Sequence, residues 1–304
     1  MVNTVAESLE PWTEQPPRLD IGVVGTGRAG SVLGAALMRA GHNVVACSAV
    51  SDISRLRAES LLPGVPIKSV AETVKDRDLV LLTVPDDVLP GLVEGFASTQ
   101  SIGPGTFVVH ASGRFGVDVL KPLTDAGCLP LALHPVMTLT GTSVDLNRLS
   151  GCPFGVTAPL ALRPVAEALV VEMGGEPIWV EEQYRALYHS ALAFGANGLM
   201  TLVNQTVDLL AQAQIEDPAA LAVPLLGASL DNAVRNGDQA LTGPVVRGDA
   251  DTVGLHLALL TEISPSVAQA YRSLARLTAE RAIESGLLRT DDASRLIEVL
   301  GSDE

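Results

Sequence analysis

From Leu19 onward, short apolar runs rich in valine, isoleucine and leucine alternate with segments whose apolar positions recur every three or four residues. A period near two predicts strands, and a period near 3.6 predicts helices. The runs predict strands at 20–24, 43–47, 66–69, 79–83, 106–110, 130–134, 153–157 and 177–180. Strands alternating with helices predict an α/β fold, a doubly wound parallel sheet. After Glu181 the strand pattern stops, and alanine- and leucine-rich segments predict helices at 183–214, 218–236, 249–262, 265–285 and 291–300. The chain is therefore expected to divide into a loose polar tail at 1–18, an α/β domain at 19–180 and an all-α domain at 181–304. The segment 183–214 carries only Asp208 as a charge after Arg185. Burial on most sides is expected for it, inside its domain or across a homodimer.

Composition narrows the function more than the fold. Acidic residues outnumber basic ones 35 to 20, a net charge of −15, which repels nucleic-acid phosphates and anionic lipid. Neither nucleic acid nor membrane is expected as a partner. No run approaches the roughly 18 apolar residues of a membrane span, and residues 1–19 lack the basic-then-apolar order of a signal peptide, so a cytoplasmic protein is expected. Cys47, Cys128 and Cys152 are widely spaced and form no CxxC pair. They are read as buried free thiols, with no metal site.

Gly25-Thr26-Gly27-Arg28-Ala29-Gly30 follows the run Ile21 to Val24 directly and opens a helical segment that returns to a strand after Gly41. In such a strand-turn-helix unit the first glycine makes the tight turn, the second admits a pyrophosphate to the backbone, and the third lets the helix pack closely. The helix N-terminus then supplies free N–H groups and the positive end of its dipole. An NAD site has a carboxylate at the end of the second strand, whereas here Ser48, Ser51, Ser54, Arg55 and Arg57 surround that end. Hydroxyls and guanidinium suit a 2′-phosphate, so NADP is the expected cofactor and NAD the alternative. Arg28 is a second phosphate partner. Thr83, Val84 and Pro85 end a core strand and are expected along the cofactor, with Asp86 or Asp87 capping the next helix.

Two later strands end in histidine, at His110-Ala111-Ser112-Gly113 and at His134-Pro135. Both ends belong to the edge of the sheet that a nicotinamide reaches, which places His110 with the cofactor contacts and His134 and Ser112 with the catalytic ones. For each histidine a ring held by neighbouring backbone is the competing reading. On the segment 183–214, His189, Asn197 and Asn204 fall within about 80° of one another at about 100° per residue, a polar stripe that needs partners. Arg247, in the loop Thr242 to Asp249, either clamps a substrate carboxylate or pairs with Asp249.

The motifs GVVGTGRAG, TVPDD, HASG, LHPVMTLTG, PFGVTA, ALYHSALAFGANGLMTLV and ALTGPVVRGD together resemble a bacterial family with a Rossmann-like domain followed by the domain of unknown function 2520. More distantly the chain resembles the 6-phosphogluconate-dehydrogenase-like superfamily, which includes ketopantoate reductase and pyrroline-carboxylate reductase. That resemblance implies hydride transfer to a small 2-oxo acid or imine, with a ketopantoate-like carboxylate as the first expectation. Ketopantoate reductases carry a catalytic lysine at the start of the helical domain. Here the lysines are Lys68, Lys75 and Lys121, none of them in that domain, and the lysine's place falls on His189. The resemblance thus implies His189 as proton donor, with Asn197, Ser112 and Arg247 holding the substrate. Loss of the lysine also admits a catalytically silent, NADP-binding regulatory or scaffold protein.

Overall fold

Valine, isoleucine and leucine at every position of Leu79–Leu82 and at most positions of Asp20–Val24 leave these segments no polar face, as strands covered on both sides require. The computed structural model describes residues 18–301. The expected tail, apart from Arg18, lies outside the described residues. The strands are β1 (Asp20–Val24), β2 (Asn43–Ser48), β3 (Leu79–Leu82), β4 (Phe107–His110), β5 (Leu129–Pro135), β6 (Pro153–Thr157) and β7 (Glu176–Trp179). They form one sheet in the order β2-β1-β3-β4-β5-β6-β7. Around it run α1 (Arg28–Arg39), α2 (Asp52–Leu61), α3 (Val70–Val74), α4 (Leu89–Thr99), α5 (Lys121–Asp125), α6 (Ser143–Arg148) and α7 (Arg163–Glu172).

Alternate residues of the central strands feed two cores. Ile21, Val23, Leu79, Leu81 and Val109 pack with Val32, Leu33 and Leu37 of α1 on one face. Val24, Val80, Leu82 and Val108 pack with Val93 and Phe96 of α4 on the other.

Two expectations about the sheet need correction. The run at 66–69 makes only an isolated bridge from Ile67 to Cys47 because Pro66 and the cap residue Ser69 leave no length for a strand. The sheet is also not wholly parallel: β6 runs antiparallel to β5, while the remaining neighbours are parallel. The residues 136–152 that join β5 to β6 include the short helix α6.

The remaining helices are α8 (Arg185–Gln212), α9 (Pro218–Asn236), α10 (Ala250–Ile263), α11 (Pro265–Glu284) and α12 (Thr290–Gly301). The chain divides into two compact units, the first ending at Ala196 and the second beginning at Asn197. The boundary therefore falls within α8 rather than at residue 180. In the second unit Val253, Leu257, Ala275, Ala279, Ala282, Leu296 and Leu300 make a core from α10, α11 and α12. Among the described residues the expected burial of α8 does not occur, for its one buried residue is Arg185. Cys47, Cys128 and Cys152 are buried free thiols as expected, and burial raises the pKa of each. Among the described residues no helix is long and apolar enough to cross a membrane, and no cluster of three or more His, Cys, Asp or Glu is placed to hold a metal ion.

Candidate active site

The turn after β1 is held from three sides. Gly25 has φ +91°, a left-handed conformation that suits glycine. Its N–H donates to Oγ of Ser48 at 3.1 Å, and its carbonyl accepts from Oγ1 of Thr83 at 2.6 Å. The hydroxyl of Thr26, fully buried, donates to the carbonyls of Ser48 and Ser54. A Cβ on Gly30 would stand 2.1 Å from the Gly25 carbonyl oxygen and 2.2 Å from Oγ1 of Thr83, so that position admits only glycine. Gly27 differs. Its φ is −71°, and a Cβ there would meet nothing within 4 Å. No side chain caps α1 at this end, which leaves its first N–H groups without a side-chain acceptor.

At the end of β2 the structure redistributes the expected roles. Ser48 is buried and committed to Gly25. Ser51 forms a capping box with Ser54 at the start of α2, which makes it a local cap first. Arg55 instead lines a cleft of about 630 Å³ together with Lys68, Ser69 and Val50. Lys68, 20 residues beyond Ser48, was not singled out by the sequence as a cofactor contact. Arg28 and Arg57 converge, for a Cβ on Gly141 would stand 3.0 Å from one side chain and 2.7 Å from the other. The loop carrying Gly141 is tied by the buried carboxylate of Asp145, which accepts the N–H groups of Thr140 and Gly141 at 2.7 Å each.

Thr83 locks the glycine turn, Val84 packs on the core, and Pro85 is exposed. Neither Asp86 nor Asp87 caps α4. Val88 holds the cap position without a side-chain bond, because Pro85 offers its carbonyl to Val88 and Leu89 instead.

The two strand-end histidines part company. His110 is fully buried, with Nε2 at 2.8 Å from the Gly116 carbonyl and Nδ1 accepting the Ser112 N–H at 3.2 Å. Both ring nitrogens serve the backbone, so His110 shapes the loop after β4 and is not placed to touch a cofactor. Oγ of Ser112 accepts the N–H groups of Arg114 and Phe115, which leaves its proton alone for a ligand. His134 is engaged by a side chain instead: Nδ1 lies 2.8 Å from the hydroxyl of Tyr188, and the ring meets that of His189 edge-on at 6.1 Å. Gly113 sits between the two imidazoles. A Cβ there would stand 2.6 Å from Nδ1 of His189 and 2.9 Å from Nε2 of His134. Nδ1 of His189 is buried and has no hydrogen-bond partner. Burial, followed by the charges of Arg185 and His189, pushes His134 down to about 4, so its ring is neutral at pH 7.

Arg185, the first residue of α8, anchors this arrangement. Its guanidinium is buried without a carboxylate, donating to Oγ1 of Thr157 at 2.7 Å and to the carbonyls of Ala132 and Gly155 at 3.1 and 3.0 Å. It thereby joins α8 to β5 and β6 next to His134. Sequence reading missed Arg185, Tyr188 and Gly113. The available signal was the lone cation heading an uncharged helix and the glycine closing HASG. Asn197 and Asn204, expected on the His189 stripe, are exposed positions of the second unit, as is Arg247. The carboxylate of Asp249 caps α10 by accepting the N–H and hydroxyl of Thr252.

A seven-stranded, mostly parallel sheet with a glycine turn after its first strand, followed by a helical unit, defines a Rossmann-like protein with an α-helical C-terminal domain. Residues 6–135 match the Rossmann-like domain and residues 152–278 match the domain of unknown function DUF2520. The chain carries both domains in that order. Over 116 residues it is 32% identical to glycerol-3-phosphate dehydrogenase [NAD(P)+] 2 of Lactobacillus delbrueckii subsp. bulgaricus, a match spanning 34% of each chain. Among solved structures, a presumed NADP oxidoreductase of Bacteroides fragilis superposes with a TM-score of 0.74 at 20% identity, covering 86% of this chain and 98% of that one. An imine reductase from Myxococcus stipitatus in complex with NADP+ superposes with a TM-score of 0.62 at 19% identity, covering 93% and 100%. At these identities the solved structures establish the fold.

Proposed function

We propose that this protein is an NAD(P)H-dependent reductase of a small 2-oxo acid or imine, with His189 as proton donor. The observation that carries the reading is the meeting of His134 and His189 at Gly113 on the carboxyl edge of the sheet. In the strand order, β4 and β5 lie two and three places from β1, about 10–15 Å from the glycine turn, on the side toward which a dinucleotide extends. The open space at Gly27 and the uncapped start of α1 fit a pyrophosphate. The relatives named above are oxidoreductases by their descriptions, which supports the class of reaction.

When bound, the reduced nicotinamide supplies a hydride. His189 delivers a proton to the carbonyl oxygen or imine nitrogen, and Ser112 offers its hydroxyl proton to the substrate. Asn197 and Arg247 are carried into the proposal from the sequence alone, as substrate-holding residues. NADP is favoured over NAD because Arg55 and Lys68 line the cleft at the end of β2, where Glu72 is already engaged with Ser69. Homodimerisation is part of the same reading. Leu187, Phe194 and Met200 of α8 and Val223, Leu225 and Val234 of α9 are exposed, apolar positions that a second copy would cover.

The test is NADPH oxidation against a panel of 2-oxo acids and cyclic imines. Turnover with at least one, falling about 100-fold in His189→Ala with NADPH affinity unchanged, is the expected result. Tight NADPH binding without turnover on any of them would turn the reading toward a silent nucleotide-binding protein.

A further inference from the structure

The hydroxyl of Tyr188 occupies the space above Gly155, where a Cβ would stand 2.3 Å from it. Nδ1 of His134, 2.8 Å away, is an acceptor within reach of the phenolic proton. Burial raises the Tyr188 pKa, opposed by the nearby Arg185 charge, so the phenol keeps its proton. The guanidinium of Arg185 lies over the Tyr188 ring at 5.7 Å and binds the Gly155 carbonyl, which holds the ring against β6. A His134 ring that accepts at Nδ1 and is neutral carries its own proton on Nε2. Nε2 is the nitrogen that faces Gly113 and the unpartnered Nδ1 of His189.

We propose that Tyr188 is a positioning residue whose hydroxyl fixes His134 as the Nε2–H tautomer, making His134 a neutral hydrogen-bond donor to the heteroatom that His189 protonates. The proposal rests on the reductase reading for its chemistry, while the tautomer rests on the Tyr188–His134 contact. It divides the labour between the two histidines. His134 polarises the oxygen or nitrogen without giving up a proton, as a preorganised neutral donor does, and His189 transfers the proton. The groups bearing on His134 favour its neutral form: Arg185 and His189 disfavour a cation there, as does the neighbouring His110, and Asp86 alone opposes them.

The test is the nitrogen NMR spectrum of the full-length protein labelled at histidine, recorded between about pH 6 and 8, alongside Tyr188→Phe. In the unsubstituted protein the His134 proton is expected on Nε2 throughout the range. In Y188F, with the acceptor at Nδ1 released, a mixture of tautomers is expected, with kcat about 10-fold lower and NADPH affinity unchanged. A proton on Nδ1, an imidazolium at pH 6, or a Y188F spectrum identical to the unsubstituted one would overturn the proposal. The unsubstituted spectrum decides the tautomer by itself should Y188F fold poorly. Because that spectrum needs no substrate, a fixed Nε2–H without turnover on any substrate upholds the tautomer lock and sinks the reductase reading.

Discussion

Gly27 and Gly30 stand three residues apart in one turn, and the structure assigns them opposite consequences. At Gly30 any side chain meets the Gly25 carbonyl and the Thr83 hydroxyl, so Gly30→Ala should destabilise the sheet unit by about 1–3 kcal/mol. At Gly27 the space is open and φ is ordinary. Gly27→Val should therefore leave the melting temperature nearly unchanged while abolishing NADPH binding in a fluorescence titration; retained binding would remove the pyrophosphate from this turn. Buried imidazoles give a second prediction. Burial pushes both His110 and His134 from 6.5 down to about 4, so the unfolded chain takes up these protons first. Their contribution is intact above about pH 6.5 and is lost as pH falls toward 4, by roughly 2 kcal/mol per ring at pH 5. Urea midpoints should fall accordingly between pH 7 and 5, and His110→Asn should flatten the slope even where it lowers stability overall. Roles that depend on residue type were legible at this scale, the glycines above all. Roles that depend on which backbone groups a side chain finds were not: Ser48, Ser51 and His110 read as ligand contacts until their local partners are known.

Helix α8 carries the site's second half, and its first turn does most of the positioning. Arg185 reaches Thr157 and the carbonyls of Ala132 and Gly155, which sets Tyr188 and His189 one turn later against β5 and the loop after β4. Replacing the guanidinium leaves buried acceptors unpaired, so Arg185→Met should cost about 2–4 kcal/mol in urea unfolding. It should also free the His134 resonance from its single tautomer. A change within about 0.5 kcal/mol would show that α8 is held by other means. The period of apolar positions made α8, α9, α10 and α11 legible to within two residues at each end. The direction of β6 was not legible, because a run such as PFGVT reads the same either way along the sheet. Its antiparallel pairing with β5 in the folded sheet decides it.

At the scale of the whole molecule, the missing quantity is what covers α8 and α9. Phe194 of α8 is 73% exposed, a value at odds with an apolar helix that carries one charge after its first residue, and Val234 of α9 is 78% exposed. Composition announced that this surface needs a cover, but a single chain cannot show one. Light scattering at micromolar concentration should give twice the 31.6 kDa chain mass, and Phe194→Asp with Val234→Asp should return it toward the monomer. A monomer in the unsubstituted protein would contradict the dimer. The central claim, reduction by hydride from a nicotinamide with His189 supplying the proton, is tested most directly by following deuterium from the 4-position of labelled NADPH into product. The account predicts transfer to the reduced carbon of a 2-oxo acid or cyclic imine, slowed about 100-fold in His189→Ala. No transfer to any member of the panel from a nucleotide that binds, or transfer at an equal rate in His189→Ala, would contradict it.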